Sequence, residues 1–369
     1  MFPEHCPNPE CQNFNDPEES SWFRSYGTYE TAAYGVIPRY KCRRCGRTFS
    51  RQTFSLDYYV KKPVDYTPIM NALKTASGNR DIARELHVRN ELVQNRIERL
   101  SRWAQGIHNT LLPLIPFYED LVADGFETFS ESQYYPCHIN LFCGRDSQFI
   151  YGSGLSFLRR KGRMTPAQEE KKLELEKKGI ADPGDIRRSM KAVATHLSKL
   201  IRDKGIDLIE IWTDKHQSYP GAFRNLPVFH HNRISSKRAR TFDNPLFSVN
   251  YCDRQSRKDL SDHVRETVQF ARHPSCMMCR FAVYRHHHNL LKPFRIKPHN
   301  ENSLEPYWTH AEAAGIPGSV IKALIEKMEG KRFFLHKLDM DGEERKTWLQ
   351  EWTNPGVVSG RYVPKHIRD

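Results

Sequence analysis

Hydrophobic positions divide the chain into a helical region and a following region of short strands. Over residues 67–103, apolar side chains recur mostly at three- and four-residue steps, a spacing that predicts three short helices. Residues 121–151 carry three short apolar runs separated by turn-forming residues. This pattern predicts that the region begins with three antiparallel strands. A helix over 185–204 and a fourth strand over 206–212 follow, so the pattern indicates an α/β fold.

Two aspartates stand beside these apolar runs. Asp124 follows the run that opens the first predicted strand, and Asp214 comes just after the fourth. Strands one and four can lie side by side in a mixed sheet, which would bring the two carboxylates together. Glu210 shares the strand face of Asp214 and is a lesser alternative ligand, whereas Glu127 has the opposite parity to Asp124 and should point away. The plain alternative is that each aspartate only forms a turn.

Carboxylates held at strand ends suit hard divalent cations that are shared between protein ligands and a phosphate. Two such ions lie about 4 Å apart and need bridging carboxylates, one ion activating the attacking hydroxyl and the other stabilising the departing oxygen. The pair Asp124 and Asp214 therefore predicts metal-dependent phosphodiester chemistry with Mg²⁺ or Mn²⁺, provided that a third acidic residue comes later in the chain.

Composition and charge narrow the class of protein. With 369 residues and 38% hydrophobic residues, the chain can form a core in at least one of two or three domains. Its 57 Lys and Arg exceed its 44 Asp and Glu by 13, which favours a polyanionic partner such as nucleic acid. No apolar stretch reaches the length of a membrane span, and the N-terminus lacks a secretory pattern. We therefore expect a cytoplasmic protein with reduced cysteines.

Four cysteines near the N-terminus have the spacing of a zinc site. Cys6 and Cys11 are separated by four residues, and Cys42 and Cys45 by two. Two such pairs can close a tetrahedral Cys₄ site, which would be structural because four protein ligands leave no open position. The alternative is a set of buried thiols. His5 is a possible substitute ligand, although its adjacency to Cys6 makes simultaneous ligation awkward.

The helical region has the outline of a helix-turn-helix unit. The segment 79–88 ends in a brief turn before residues 90–100, which form a polar candidate recognition helix. Asn and Gln can pair with adenine and Arg with guanine, although most three-helix bundles present such residues to water. The residues expected to face the DNA groove are Gln94, Asn95, Arg96 and Arg99.

Basic residues occur in three further groups that frame the two aspartates. Evenly spread charges would merely make the surface soluble, but grouped charges can line a channel that neutralises phosphates. The expected DNA contacts in these groups are Arg159, Arg160, Lys161, Arg163, Lys237, Arg238, Arg240, Arg254, Arg257 and Lys258. In contrast, the mixed charges of residues 171–178 are typical of an exposed helix face.

The order of these motifs resembles a DDE transposase of a bacterial insertion sequence. The resemblance spans roughly residues 5 to 300 and depends on the cysteine pairs, Asp124-Gly-Phe-Glu-Thr-Phe, Trp212-Thr-Asp-Lys-His-Gln-Ser-Tyr-Pro and Asn250-Tyr-Cys-Asp-Arg-Gln-Ser-Arg-Lys-Asp-Leu. It implies a zinc ribbon over 1–60, a helix-turn-helix unit over 61–112 and a ribonuclease-H-like mixed sheet flanked by helices over 118–295. Residues 296–369 would be a C-terminal helical extension.

The same resemblance implies a function. Asp124 and Asp214 would be the first two members of an acidic triad that binds magnesium, cleaves the ends of the element and joins them to target DNA. The partner would be double-stranded DNA, bound by a homo-oligomer at the bacterial nucleoid.

The third acid departs from the family pattern. Such families often place a glutamate early in a later helix, but here that helix starts Ser275-Cys-Met-Met-Cys-Arg and contains no acid. Glu266, on a helix expected over 259–272, is the nearest alternative, and it could equally be a solvated charge. Three interpretations follow: an active transposase, an inactive DNA-binding regulator derived from one, and a structure-selective nuclease.

Overall fold

The N-terminal region is a small antiparallel sheet. The computed structural model describes residues 3–17, 21–264, 269–294, 308–358 and 362–368. A short helix, α1, opens the region, and three strands in the order β1-β2-β3 follow it. Their bounds are α1 Gln12–Asn15, β1 Phe23–Thr31, β2 Gly35–Cys42 and β3 Thr48–Ser50. This sheet brings the two cysteine pairs together.

Three helices follow, as the apolar spacing predicts, but the third is much longer than expected. They are α2 Tyr66–Leu73, α3 Asn79–Glu85 and α4 Asn90–Leu111, and α4 has 22 residues. No proline interrupts it before Pro113, which cannot continue a helix interior. From Arg99 to Asn109 every residue of α4 is buried, because this half packs against the helix α9 described below.

The central element is a five-stranded mixed sheet in the order β6-β5-β4-β7-β8. Strand β4 pairs antiparallel with β5 and parallel with β7, and β7 is parallel to β8. The prediction that the first and fourth strands of this region lie side by side is therefore confirmed. The strand bounds are β4 Leu121–Phe129, β5 Pro136–Gly144, β6 Ile150–Phe157, β7 Ile209–Asp214 and β8 Phe229–Ile234.

Helices cover both faces of this sheet. Ala123 and Phe142 belong to a hydrophobic cluster with Val193 of helix α6, whereas Val122 and Leu141 pack on the other face with Val249 of α8. The exposed helix α5 contains no buried residue, which agrees with its mixed charges. The helix bounds are α5 Pro166–Lys178, α6 Asp185–Asp203, α7 Tyr219–Phe223, α8 Phe247–Asp259 and α9 Pro274–Leu290.

The helix expected over 259–272 is wrong wherever the structure describes it. Helix α8 ends at Asp259, and residues 261–263 form a single 3₁₀ turn. The chain turns inward here to bury Asp262, which lies 2.9 Å from the imidazole of His263 and 3.3 Å from the guanidinium of Arg280. Glu266 lies outside the described residues.

The C-terminal helices are bound to the rest of the protein by buried polar contacts. Glu344 accepts a hydrogen bond from Asn109 of α4 and pairs with Arg285 of α9, while Glu343 accepts from Ser189 of α6 at 2.7 Å. In the described part of the chain, no helix combines the length and apolar character needed to cross a membrane. The C-terminal helices are α10 His310–Ala313, α11 Gly318–Met328, α12 Gly342–Leu349 and α13 Lys365–Arg368.

Candidate functional site

The four N-terminal cysteines form one compact cluster. The sulfur atoms of Cys6, Cys11, Cys42 and Cys45 all lie within 4.8 Å of one another, with 3.5 Å between Cys6 and Cys45 and 3.9 Å between Cys11 and Cys42. A tetrahedral ion with Zn–S bonds of about 2.3 Å requires sulfur separations of about 3.8 Å. The cluster can therefore bind Zn²⁺ and form a zinc ribbon.

The surroundings of the cluster favour a thiolate at Cys42, whereas burial raises the pKa of Cys6 and Cys11 and favours their neutral thiols. Gly46 adopts φ +72°, a left-handed conformation that glycine takes readily, and its N–H donates to the carbonyl of Cys42. Burial raises the pKa of Cys42, but backbone N–H groups and the amide of Asn13 outweigh it and lower that pKa to about 7. His5 instead packs edge-on against Phe14 and Phe334 and does not belong to the cluster.

The acidic site begins with two aspartates on neighbouring parallel strands. The register pairs Leu121 with Ile211 and Val122 with Trp212, so Asp124 and Asp214 occupy equivalent positions further along β4 and β7. Both follow the parity of Val122 and Trp212, whose side chains pack in the cluster beneath α8. The topology therefore puts both aspartates at the same edge and on the same face of the sheet.

The charge of Asp214 also acts on Asp124. Burial, and then the negative charge of Asp214, raise the pKa of Asp124 to about 6. Two hydrogen bonds to its Oδ1 oppose this change, one from the N–H of Gly125 at 2.8 Å and one from the hydroxyl of Tyr219 at 3.0 Å. The site thus holds mutually repelling carboxylates, which a divalent cation would neutralise.

A third acidic residue faces this pair from helix α8. The charge of Asp253 also raises the pKa of Asp124, and burial raises the pKa of Asp253 itself. Arg257 donates to Asp253 at 3.0 Å, and the positive charges of Arg257 and Arg240 oppose the effect of burial. Helix α8 therefore supplies a further carboxylate near this pair together with one counter-charge, Arg257, and the loop before α8 supplies the other, Arg240.

Sequence reasoning missed Asp253, although a signal was present. The buried residues Val249, Cys252, Ser256 and Asp259 recur along α8 at three- and four-residue steps. Position 253 is four residues from 249 and three from 256, so it borders this stripe. An acid in or beside a buried stripe needs a partner or a cation, and this argument could have selected Asp253 together with Asp259.

The remaining acidic candidates differ in their surroundings. Glu210 is engaged by His230, whose ring nitrogen lies 2.9 Å from its carboxylate. Glu127 borders a groove away from the α8 face, as its parity predicts. Within the described part of the chain, the cysteine quartet is the one group of three or more donors gathered within 4.8 Å. The acidic site is therefore open, with its carboxylates not yet closed around one point.

The predicted DNA-contacting residues of α4 separate into two pairs. Asn95 is exposed, and Gln94 is partly buried, accepting a hydrogen bond from Asn79 at 2.7 Å. In contrast, Arg96 and Arg99 are only 4% and 8% exposed. They donate to the carbonyls of residues 62, 56 and 58, which places both guanidinium groups inside the protein and not on a DNA-facing surface.

The other basic groups lie on different sides of the sheet, the first in the groove that Glu127 borders and the others on the α8 side. Arg159, Arg160, Lys161 and Arg163 line a groove of about 730 Å³ that also contacts Ser218, next to Tyr219. Arg257 pairs with Asp253, and Lys258 pairs with Asp259. The exposed basic residues near α8 are Lys237, Arg238, Arg240 and Arg254.

Comparison with known proteins does not identify a family. No protein-family model matches this chain, and no curated protein matches it. The functional argument therefore depends on the geometry of the acidic site, the cysteine cluster and the surrounding positive charge.

Proposed function

We propose that this protein is a DDE-type transposase that binds the ends of a mobile element and catalyses metal-dependent cleavage and joining of double-stranded DNA. Its five-stranded sheet would be a ribonuclease-H-like catalytic domain. The observation that supports this most is the convergence of Asp124 and Asp214, which come from separate segments and interact strongly enough to raise a pKa.

The donor set fits a divalent metal. Asp124 and Asp214, with Asp253 as the third acid, would hold Mg²⁺ or Mn²⁺, since hard cations prefer carboxylate oxygens. Such ions supply Lewis-acid activation of the attacking hydroxyl and stabilisation of the departing oxygen. Glu266 remains a further candidate ligand outside the described residues.

The protein's own residues prepare this site. The Tyr219 hydroxyl fixes one oxygen of Asp124, so that the other carboxylate oxygen remains available. Arg257 holds Asp253, and displacement of this arginine by a cation would release the carboxylate and offer a guanidinium to a DNA phosphate. The basic groove at Arg159–Arg163 would bind the phosphates that flank the reacting one.

Recognition of element ends would fall to the N-terminal regions. The cysteine cluster would be a structural zinc site, and the exposed side chain of Asn95, with Gln94 beside it, is the remaining candidate for base contacts on α4. Because transposition brings two element ends together, we expect the protein to form a homo-oligomer on DNA. Its DNA partner would place it at the nucleoid.

Strand-transfer assays with labelled DNA test this proposal. Asp124→Asn, Asp214→Asn and Asp253→Asn should each abolish magnesium-dependent joining while leaving DNA binding intact, because each removes a carboxylate without altering the basic surface. Asp207→Asn, an exposed residue just before β7, is the matched control and should keep activity. Retained joining by the Asp124 and Asp214 variants would contradict the proposal.

A catalytically inactive DNA-binding regulator is the second candidate. The open acidic site favours it, because Arg257 already satisfies Asp253 and the carboxylates are not gathered within 4.8 Å. The unaltered protein distinguishes the two functions: DNA binding without cleavage under either Mg²⁺ or Mn²⁺ would support the regulator. Cleavage without joining would instead indicate a structure-selective nuclease.

A further inference from the structure

The loop over residues 235–243 lies between β8 and α8, and the charge of its Arg240 acts on Asp253 of the acidic site. It leaves the sheet after Ile234, which is the register partner of Asp214 on the neighbouring parallel strand. It leads into helix α8, which carries Asp253 toward Asp124. All nine residues of this loop are exposed. A DNA strand whose phosphate reached the carboxylates would therefore pass alongside it.

The loop combines strong positive charge with one exposed aromatic ring. Lys237, Arg238 and Arg240 outnumber its single acid, Asp243. Phe242 is 83% exposed, and it is the only phenylalanine with an exposed side chain in the described part of the chain. Isolated surface hydrophobics are common, but a phenyl ring among three cations beside a carboxylate site has a specific chemistry.

The loop is held by its own contacts. The side-chain amide of Asn244 donates to the carbonyl of Ala239 at 2.8 Å, and the N–H of Asn244 donates to Thr241 at 3.1 Å. The ring of Phe242 lies against that of Phe247, the first residue of α8, with 5.4 Å between centroids. One edge of the ring is thus anchored while most of it stays in water.

We propose that Phe242 stacks on a DNA base next to the phosphate that the acidic site engages, while Lys237, Arg238 and Arg240 contact the adjoining phosphates. This inference rests on the proposed function, and it names how the DNA is held there. Apolar wedges inserted between base steps unstack them and bend the duplex, which would expose the phosphate in line with the carboxylates. Every base offers a flat face, so the contact would tolerate any sequence.

A nicked DNA duplex with 2-aminopurine beside the nick is the probe, in buffer without divalent cations so that no strand is cut. Binding of the unaltered protein should raise the 2-aminopurine fluorescence as the base leaves its stack. Phe242→Ala should lose this signal and bind the nicked duplex roughly 5- to 100-fold more weakly, the effect of one lost base–aromatic stack. Phe242→Trp should retain both properties.

Tyr118→Ala is the matched control. Tyr118 is 87% exposed but stands beside Glu119 and Asp120 instead of a basic group, so its removal should change neither signal nor affinity. Equal fluorescence and affinity for Phe242→Ala and the unaltered protein would overturn the stacking contact alone. A well-folded unaltered protein without affinity for the nicked duplex would overturn the proposed function together with it.

Discussion

The cysteine cluster and the acidic site are both candidate metal centres, yet they differ in how far the protein alone assembles them. The four sulfurs are already within 4.8 Å of one another, while the carboxylates of Asp124, Asp214 and Asp253 are not gathered so closely. Thiols can remain protonated and neutral when they approach one another. Carboxylates pay for burial and also repel one another, and burial first and then the charge of Asp214 raise the pKa of Asp124.

This difference matches two kinds of metal chemistry. A structural site is closed by its protein ligands, whereas a catalytic site keeps positions open for water and substrate. The local turns of a small sheet can bring the ligands of a structural site together before the metal binds. In the proposed function, the acidic site would hold repelling carboxylates in the free protein, and a cation and a DNA phosphate would complete it together. Removing a ligand should therefore have opposite effects on stability at the two centres.

Cys42→Ser should produce the largest effect. It removes one of four zinc ligands, and structural zinc contributes apparent folding free energies on the order of 10 kcal/mol. We expect the zinc content to fall from about one ion per chain toward zero and the amide protons of β1–β3 to exchange rapidly. Cys276→Ser, outside the cluster, should leave both unchanged. Full zinc occupancy in Cys42→Ser would contradict a Cys₄ zinc site at this cluster.

Asp124→Asn should instead stabilise the metal-free protein. The folded state raises this pKa from 3.8 to about 6, so the cost of the ionised side chain is absent below pH 3.8 and complete above about pH 6. At pH 8 the variant should gain up to about 3 kcal/mol in the free energy of unfolding, since one pKa unit corresponds to about 1.4 kcal/mol.

Denaturant titrations at pH 8 and pH 4 measure this gain, most of which should be lost at the lower pH. Asp207→Asn controls for a general effect of removing charge from this basic protein. If Asp124→Asn were instead less stable than the unaltered protein at pH 8, the ionised Asp124 would not destabilise the fold. Ligand removal would then have the same sign of effect at the acidic site and at the cysteine cluster.

Tyr219→Phe should have the smallest effect. It removes the hydroxyl that donates to Asp124, so the pKa of this carboxyl should rise further, by up to about one unit for a hydrogen bond of about 1 kcal/mol. Metal binding needs the ionised carboxylate, so the acid limb of kcat/KM for cleavage should move to higher pH. Tyr118→Phe, the control, should leave the acid limb of kcat/KM at its original pH. An unchanged acid limb in Tyr219→Phe would mean that the Tyr219 side chain contributes only packing.

Local sequence features were sufficient for part of this molecule. Cysteine spacing identified the ligand set, and apolar runs identified the strands that carry Asp124 and Asp214. Periodicity also gave three helices, but it could not give the length of α4. Its second half is buried by α9 and the C-terminal segment, and it mixes apolar residues with polar ones that are paired inside the protein, so the sequence shows no boundary between a buried and an exposed face.

Arg96 and Arg99 of α4 also show that local sequence does not reveal which residues are buried. Exposed arginines on a candidate recognition helix suggest DNA contact, but Arg96 and Arg99 are buried because the segment 56–62 covers them and offers its carbonyl oxygens. The sequence around α4 does not indicate that these acceptors lie nearby. They belong to a segment about forty residues earlier in the chain, which reaches Arg99 only in the folded protein.

By itself the sequence determined what depends on neighbours along the chain: the cysteine pairs, the strands, the positive charge and the candidate aspartates. Only the tertiary structure brought Asp253 to this site as a candidate third acid, because its charge acts on Asp124 only when α8 packs over β4. It likewise decided which basic side chains are buried, as Arg96 and Arg99 are, and which stay exposed. Side-chain charge and exposure are set by burial and by distant neighbours, and these exist only once the chain has folded.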